Sequence, residues 1–335
     1  LKDNPHSLMG GGNVASFEKS VAEIFGKRFG IMVNSGSSAN LLAISSLGFP
    51  KGSEVITPAL TFSTTVSPLV QCGLVPAFVD VEPSTFVIDI NLIEGMITSN
   101  TKAMIIPNLI GNLPSWDRLR EIADQHQLVL IEDSADTIGY RYKGGNTGRL
   151  SDIVTSSFYA SHVITAAGFG GIVCTNEETI AEKAIIARSW GRASSLRGES
   201  EAIDNRFDAS VDGIEYDAKF MFDELGFNFI PSELSAAFGL VQLKKLKKFA
   251  AIRQANFNNL YEFFSKIKFF KLPRQLSEVK TSWLAFPLTI SENAPFSRLE
   301  IVKFLEMNGI QTRPIFTGNV LKQPAFSKIN YKNLG

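Results

Sequence analysis

The chain has 335 residues, of which 44% are hydrophobic and 20% are charged, a globular composition with enough apolar residues for one large core and a smaller one. Lysine plus arginine and aspartate plus glutamate both number 33, so no basic field favours a nucleic acid or an anionic membrane as a partner. Apolar runs are far shorter than the roughly 20 residues of a membrane helix, and no signal peptide opens the sequence, so we expect a cytoplasmic protein.

The first half of the sequence alternates short apolar runs with amphipathic stretches. A predicted helix at 15–25 and a strand at 29–33 precede a Ser/Gly-rich loop at 34–38 and a helix at 39–47. Further strands are predicted at 54–57, 77–81, 103–106, 128–131, 153–158 and 171–175, and further helices at 62–72 and 115–126. This alternation predicts an α/β fold with a mostly parallel central sheet and helices on both faces.

The second half of the sequence predicts a change of architecture. A polar, poorly periodic stretch at 194–212 is expected to be a long surface loop. Predicted elements then follow as helices at 232–249 and 252–267, a strand at 282–290, a helix at 297–308 and a strand at 311–313. We therefore expect a large domain at 1–245 and a small α+β domain at 246–335. The abrupt start and end suggest that the natural chain is longer.

The Ser/Gly-rich turn at 34–40 is a candidate phosphate site. It lies between a strand and a helix, so free N–H groups around Gly36 and the helix dipole can hold a phosphate. The hydroxyls of Ser37 and Ser38 would add hydrogen bonds. In isolation, a turn of this kind is more often only a helix cap.

Asp133 is a candidate ligand for a nitrogen heterocycle. It follows a strand that is apolar on both faces, so we expect it in the middle of the sheet, where such folds bind ligands at the carboxyl ends of strands. A carboxylate there can bind a protonated pyridine nitrogen and keep the ring an electron sink. Capping of the following turn is the alternative. Cys72 and Cys174 show no metal-binding spacing, so we expect buried thiols and no metal.

Five segments, in order along nearly the whole chain, resemble the DegT/StrS family of sugar aminotransferases. They are residues 34–41, 57–62, 132–139, 156–162 and 226–237. The resemblance implies the fold of type I PLP-dependent transferases, that of aspartate aminotransferase. It also implies that Ser157, five positions before the family's catalytic lysine, binds the cofactor phosphate, and that His162 stands at the lysine position.

The histidine at this position predicts a change of chemistry. No lysine occurs between Lys143 and Lys183, so pyridoxal 5′-phosphate (PLP) has no amine to bind covalently, and a non-covalent cofactor, most naturally pyridoxamine 5′-phosphate (PMP), is expected. Imidazole titrates near pH 6.5, so His162 can take a proton from the cofactor's C4′ and deliver one to a leaving hydroxyl. This swap resembles the family's branch of nucleotide-sugar 3-dehydratases, which make 3,6-dideoxy sugars.

Further likeness to that branch lies in Asp136 and in residues 108–112, 190–192 and 311–324. The resemblance implies that the cofactor amine condenses with a C4 ketone, the C3 hydroxyl leaves as water, and hydrolysis frees a 3-deoxy ketosugar and ammonia. The branch's CDP-sugar members carry an iron–sulfur cluster on four cysteines, which two cysteines cannot supply. The glutamate-recharged members, which act on GDP-4-keto-6-deoxymannose, are therefore the better match.

The resemblance assigns roles to further residues. Phe62 would stack on the pyridine ring, Asp136 would contact the cofactor, and Asn228 would reach the cofactor phosphate of the neighbouring subunit, which implies an obligate homodimer with shared active sites. Arg313 and Asn319 would bind the nucleotide-linked ketosugar, or, for the arginine, the carboxylate of glutamate. Without the family context, a core aromatic would be preferred for Phe62 and a helix-start cap for Asn228. For Arg313, a solvated side chain is the alternative.

Two departures from the family pattern limit the transfer. Phe169 stands where the family usually has glutamate, in a segment that is one residue longer, and Ile230 stands where arginine is usual. These departures bear on the substrate rather than on the mechanism. Two other functions remain open, a glutamate-dependent nucleotide-sugar aminotransferase and a non-catalytic cofactor-binding regulator.

Overall fold

A central β-sheet organises the computed structural model, which describes residues 8–197, 206–207 and 209–333. The strands are β1 (Phe29–Val33), β2 (Glu54–Pro58), β3 (Val75–Val79), β4 (Thr101–Pro107), β5 (Val129–Asp133), β6 (Arg141–Tyr142), β7 (Gly145–Asn146), β8 (Ile153–Ser157), β9 (Gly171–Thr175), β10 (Ser210–Val211), β11 (Ile214–Glu215), β12 (Phe270–Lys271), β13 (Val279–Lys280), β14 (Thr289–Ile290) and β15 (Lys332–Asn333). The α-helices are α1 (Gly12–Phe25), α2 (Gly36–Leu47), α3 (Ser63–Gln71), α4 (Trp116–His126), α5 (Glu178–Arg188), α6 (Glu233–Leu243), α7 (Leu246–Ser265) and α8 (Arg298–Met307).

The large sheet has eight strands in the order β1-β9-β8-β5-β4-β2-β3-β15. All neighbours are parallel except β9, which runs antiparallel to both β8 and β1. The prediction of a mostly parallel α/β sheet is confirmed, and β5 lies in its middle, as its apolar sequence indicated.

Helices cover both faces of the sheet and bury two apolar layers. On one face, Ile105 and Ile131 pack in a cluster with residues of α2 and α5. On the other face, the alternate residues Met104 and Leu130 pack with Trp116 of α4. Successive strand residues point to opposite faces, so two-sided burial explains why these strands read as continuous apolar runs.

The predicted boundaries around the Ser/Gly-rich turn need one correction. Helix α2 begins at Gly36 rather than at residue 39, because the Ser35 hydroxyl accepts a hydrogen bond from the Ser38 N–H at 3.0 Å and caps the helix there. The turn is therefore already the first turn of the helix, where backbone N–H groups lack partners within the helix.

The C-terminal third differs from the prediction in two places. The break between α6 and α7 falls at residues 244–245 rather than near 250, because the two helices pack on different partners. Helix α6 packs on α1, where Gly239 lies against Phe17, whereas in α7 the ring of Phe257 stacks on Trp283. The strand expected at 311–313 is absent, since this segment has no ladder partner among the described residues. The strand expected at 282–290 is reduced to β14, paired with β12.

The loop predicted at 194–212 is described only in part. Residues 193–197 form a short 3-10 helix, and β10 and β11 form a hairpin, whereas residues 198–205 and 208 lie outside the described residues. The division into domains at 245 and 246 remains a prediction, and β15 joins the large sheet from beyond that boundary. None of the helices in the described part of the chain is both long and apolar enough to cross a membrane.

The carboxylate of Glu233, at the start of α6, contacts the first turn of α1. It accepts hydrogen bonds from the backbone N–H groups of Asn13 at 3.0 Å and Val14 at 2.8 Å, in the first turn of α1. Burial alone would raise the pKa of Glu233, but these hydrogen bonds outweigh it and lower the pKa below 4.5. Glu233 thus caps α1 from the start of α6.

We expect Glu233→Gln to lower the free energy of unfolding by about 1–2 kcal/mol, because an amide replaces the charged acceptor at a helix N-terminus. Since its folded pKa is lowered, the carboxylate stabilises the fold above its ordinary pKa of 4.5 and loses this effect as the pH falls through the folded value. Urea unfolding at neutral and acidic pH measures both effects. Glu182→Gln, on the exposed side of α5, is the control, and an equal loss in both variants would contradict the cap.

Candidate active site

The candidate site lies where two neighbouring central strands end. Asp133 is the last residue of β5, Ser157 is the last residue of β8, and the two strands pair in parallel with Asp133 opposite Thr155. The carboxyl ends of parallel strands meet at one edge of a sheet, which is the usual ligand position in such folds. The topology therefore brings together two residues that are far apart in sequence.

Asp133 lies at the bottom of this edge of the sheet, which we call the crevice, and is only 6% exposed. Its Oδ2 accepts hydrogen bonds from Asn40 Nδ2 at 2.9 Å and from Thr65 Oγ1 at 2.8 Å. Within the described part of the chain, its Oδ1 accepts only the backbone N–H of Ala135, at 3.2 Å. One oxygen is thus held inside the protein, and the other retains capacity to accept a hydrogen bond.

The phosphate candidate residues lie against the end of β8. A Cβ atom at Gly36 would lie 2.5 Å from Ser157 Cβ and 2.9 Å from its Oγ, so the helix start and Ser157 are in direct contact. Ser38 is engaged in the cap with Ser35, while Ser37 is exposed. Free N–H groups, the dipole of α2 and the Ser157 hydroxyl converge here, as a phosphate requires.

His162 lies in a connection that returns on itself between β8 and β9. The Phe158 N–H donates to Gly170 O at 2.9 Å, and the Ala166 N–H donates to Phe158 O at 3.0 Å, so both ends of the connection are tied together. Burial lowers the pKa of His162 below 6.5, and the Ser157 backbone and the Asp133 charge oppose this only in part. The imidazole is therefore neutral at pH 7 and can accept a proton.

Asp136 is a second buried carboxyl beside the crevice. It is 5% exposed and accepts a hydrogen bond from the backbone N–H of Ile110 at 2.8 Å. Burial raises the pKa of Asp136 to about 7; the hydrogen bond from Ile110 lowers it and the Asp133 charge raises it further. Ile110 itself has a φ of 57°, which is strained for a β-branched residue and typical of functional regions.

The segment 315–320 packs on the loop that carries Phe62. Phe62 is 49% exposed, and its ring meets Phe316 edge to face, with centroids 6.0 Å apart. Asn319 pairs with Leu60 through the backbone, and its side chain caps the turn that follows. Arg313 is exposed and donates to the carbonyl of Thr312, and no contact joins it to the crevice in the described part of the chain.

Asn228 lies on the rim with its side chain exposed. The next residue, Phe229, accepts a hydrogen bond from the Asn34 N–H at 3.1 Å, and Asn228 itself bridges to Ser189. The segment is thus anchored beside the Ser/Gly-rich turn at 34–40, while the Asn228 side chain is exposed to solvent.

Phe169, at the position where the family usually has glutamate, is 68% exposed. It lies between Gly168 and Gly170, whose φ angles of 91° and 112° are accessible mainly to glycine. The Gly170 N–H donates to Asn34 O at 2.9 Å, which places this turn beside the Ser/Gly-rich turn at 34–40. A large apolar ring therefore faces solvent at the edge of the site.

Three buried residues that contact the site were missed from the sequence, namely Asn40, Thr65 and Thr155. Asn40 could have been noticed, because an asparagine among apolar residues inside a helix is unfavourable without a partner. The two threonines carry no such signal, since threonine is ordinary in strands and at helix starts.

The residues present fit a pyridoxal-type cofactor. The buried carboxylate of Asp133 has one oxygen for a pyridine N–H, and the cradle at Gly36 and Ser157 suits a phosphate. Phe62 offers an exposed ring at the mouth of the crevice. The roles of the individual residues stay predictions, including those of Asp136, Asn228, Arg313 and Asn319.

The chain is similar to known proteins over nearly its whole length. Residues 2–334 match the model of the DegT/DnrJ/EryC1/StrS aminotransferase family. A dTDP-4-dehydro-2,6-dideoxy-D-glucose 3-dehydratase from Saccharopolyspora spinosa is 40% identical over 97% of this chain and 72% of its own. A GDP-4-keto-6-deoxy-D-mannose 3-dehydratase from Yersinia pseudotuberculosis is 37% identical over 93% of this chain and 79% of its own.

A solved structure is similar over the whole fold. It is a GDP-4-keto-6-deoxymannose-3-dehydratase with a trapped PLP–glutamate geminal diamine, 32% identical, with a TM-score of 0.87 over 99% of this chain and 86% of that one. The prediction of a PLP-dependent transferase fold is confirmed.

The contact between Gly36 and Ser157 can be tested by adding one methyl group. We expect Gly36→Ala to weaken PLP binding about tenfold to a hundredfold, because the new Cβ would displace Ser157 from the phosphate cradle. Equilibrium dialysis with PLP measures the dissociation constant. Gly12→Ala, whose Cβ would meet no atom within 4 Å, is the control. Unchanged affinity in Gly36→Ala would show that the cradle does not hold the phosphate.

Proposed function

The chain belongs to the DegT/DnrJ/EryC1/StrS aminotransferase family, and we propose that it removes the C3 hydroxyl of a nucleotide-linked 4-keto-6-deoxyhexose with PLP and PMP as cofactor. The observation that carries this proposal is His162, a base placed in the connection after β8 where the family's lysine would stand. The relatives named as 3-dehydratases support the same reaction and make amino transfer the less favoured alternative.

When bound, PMP supplies an amine that condenses with the C4 ketone and a pyridine ring that accepts electrons. Asp133 would hold the ring nitrogen, and Gly36 with Ser157 would hold the phosphate. His162, neutral at pH 7, takes a proton from the C4′ carbon of the cofactor and delivers a proton to the departing C3 hydroxyl. The absence of a lysine from 144–182 prevents covalent capture of the cofactor between turnovers.

The net reaction needs an electron donor, and we propose glutamate. Carbon C3 loses a hydroxyl and gains a hydrogen, while glutamate is oxidised to 2-oxoglutarate and its nitrogen leaves as ammonia. The trapped PLP–glutamate species in the similar solved structure supports this donor. Phe62, Asp136, Arg313 and Asn319 are proposed to contact the cofactor or the sugar. The named relatives differ in nucleotide, dTDP in one and GDP in another, so the proposal covers a nucleotide-linked sugar.

We further propose a homodimer in the cytoplasm. Helix α6 exposes three apolar side chains, with Leu234, Phe238 and Val241 at 61%, 44% and 52% exposure. Such an apolar patch supports the proposal that this helix packs against a second copy of the chain. The exposed Asn228 precedes this helix and would reach the phosphate of the partner's cofactor. The free thiols of Cys72 and Cys174 are in keeping with a reducing compartment.

Ammonia release distinguishes dehydration from amino transfer. With PLP, glutamate and a nucleotide-linked 4-keto-6-deoxyhexose, we expect one ammonia and one 2-oxoglutarate for each C3 hydroxyl lost, as measured by coupled assay and mass spectrometry. A stable 4-amino sugar would instead identify an aminotransferase. Cofactor binding without turnover of any ketosugar would identify a regulator.

The base at position 162 predicts a variant and a pH profile. His162→Asn should lower kcat at least about a hundredfold, whereas His126→Asn, at the end of α4, should leave it unchanged. Because burial lowers the pKa of His162, activity should persist at pH 6.5 and fall only at more acidic pH, as the imidazole becomes protonated. A profile that already falls above pH 6.5 would contradict this assignment.

The shared active site predicts complementation between two inactive variants. Asn228→Ala and His162→Asn, each purified alone, should have low activity. In a heterodimer of the two variants, one of the two sites contains both native residues. Random pairing on coexpression makes about half of the dimers heterodimers, so about one quarter of all sites should be active. No recovery in the heterodimer would indicate that Asn228 acts within its own chain.

A further inference from the structure

A relay of buried hydrogen bonds runs from β8 to the carboxylate of Asp133. Thr155 Oγ1 donates to Asn40 Oδ1 at 2.5 Å, and Asn40 Nδ2 donates to Asp133 Oδ2 at 2.9 Å. The second hydrogen of the Asn40 amide is directed to Thr64 O, at 3.1 Å. Asn40 is 4% exposed and Thr155 is 1% exposed, so water does not compete for these groups.

This relay permits only one orientation of the Asn40 amide. A rotated amide would direct its carbonyl oxygen at the Asp133 carboxylate and at Thr64 O, which are both acceptors. Thr155 provides the hydroxyl proton that the carbonyl oxygen of Asn40 accepts in the observed orientation. The two acceptors therefore select the orientation in which the NH2 group of the amide meets the carboxylate on β5, and the threonine on β8 holds the carbonyl oxygen of the amide in that orientation.

A second donor reaches the same oxygen from another element. Thr65, in the first turn of α3 and 2% exposed, donates to Asp133 Oδ2 at 2.8 Å. Oδ2 therefore receives two side-chain hydrogen bonds, whereas Oδ1 receives only the 3.2 Å bond from Ala135 among residues 8–197, 206–207 and 209–333. The two oxygens of one carboxylate have been made unequal by their surroundings.

We propose that Asn40, Thr65 and Thr155 are positioning residues that lock Asp133 with Oδ2 bound inside the protein and Oδ1 presented to the pyridine N–H of the cofactor. The inference rests on the proposed function, because the cofactor's ring is the group that Oδ1 meets. A locked carboxylate needs no reorientation when the cofactor binds, so the network raises affinity for the ring and stabilises its protonated nitrogen.

The experiment compares two neighbouring hydroxyls on β8. Thr155→Val removes the donor to Asn40 with little change of shape, and Thr155→Ser restores it. Ser156→Ala is the control, because Ser156 is also buried, at 2% exposure, but donates to Ser134 O on the opposite face of the strand. Asn40→Leu removes the amide itself. The readouts are the PLP dissociation constant, the pH dependence of the bound PLP absorption band, and the Tm of the cofactor-free protein.

We expect Thr155→Val and Asn40→Leu to weaken PLP binding about tenfold and to move the pH at which the absorption band changes. Thr155→Ser and Ser156→Ala should bind PLP as the wild type does. A Thr155→Val protein with wild-type affinity and an unchanged band would overturn the proposal. An equal loss in Ser156→Ala would overturn it too, because that loss would reflect general packing.

Two features keep this test separate from that of the reaction. Wild-type protein that binds no PLP would overturn both the proposed function and the network. Wild-type protein that binds PLP normally, with Thr155 variants that do likewise, would overturn the network alone. If Asn40→Leu lowers the Tm of the cofactor-free protein strongly, the Thr155→Val and Thr155→Ser pair decides the outcome.

Discussion

A carboxylate buried in the middle of an apolar sheet must be hydrogen-bonded, and much of the site follows from this requirement. Asp133 ends the central strand β5 and obtains its donors from α2 and α3, two helices that follow different strands. The same convergence places the first turn of α2 against Ser157 at the end of β8. One buried carboxylate thus connects the elements that carry the residues proposed to bind the ring and the phosphate of the cofactor.

The sequence predicted the elements whose signals are local. Apolar runs gave the central strands, and the place of β5 in the sheet followed from the apolar run at 128–131. The prediction of a strand at 311–313 was wrong, because an extended segment becomes a strand only beside another strand, and the sequence does not show where the neighbouring strands lie. The role of Asn40 was missed for a similar reason, since only the tertiary structure brings it to Asp133 and Thr155.

The likeness to known proteins and the geometry contribute different parts of the functional conclusion. The family and its named relatives supply the class of cofactor and reaction. The structure supplies the state of the groups, a neutral imidazole at His162 and a carboxyl at Asp136 whose pKa of about 7 lets it donate or accept a hydrogen bond at neutral pH. Phe169 places an exposed ring at the rim, where the resemblance to the family implies a glutamate.

The antiparallel direction of β9 keeps the connection that carries His162 at the edge of the sheet where β8 ends. A parallel crossover would carry the chain away from the crevice through a helix, whereas here residues 158–170 leave β8 and return directly to β9. The hydrogen bonds from Phe158 to Gly170 and from Ala166 to Phe158 close this connection independently of the side chain at position 162. The side chain at position 162 can therefore be exchanged for another reactive group without a change in the backbone hydrogen bonds that hold the connection.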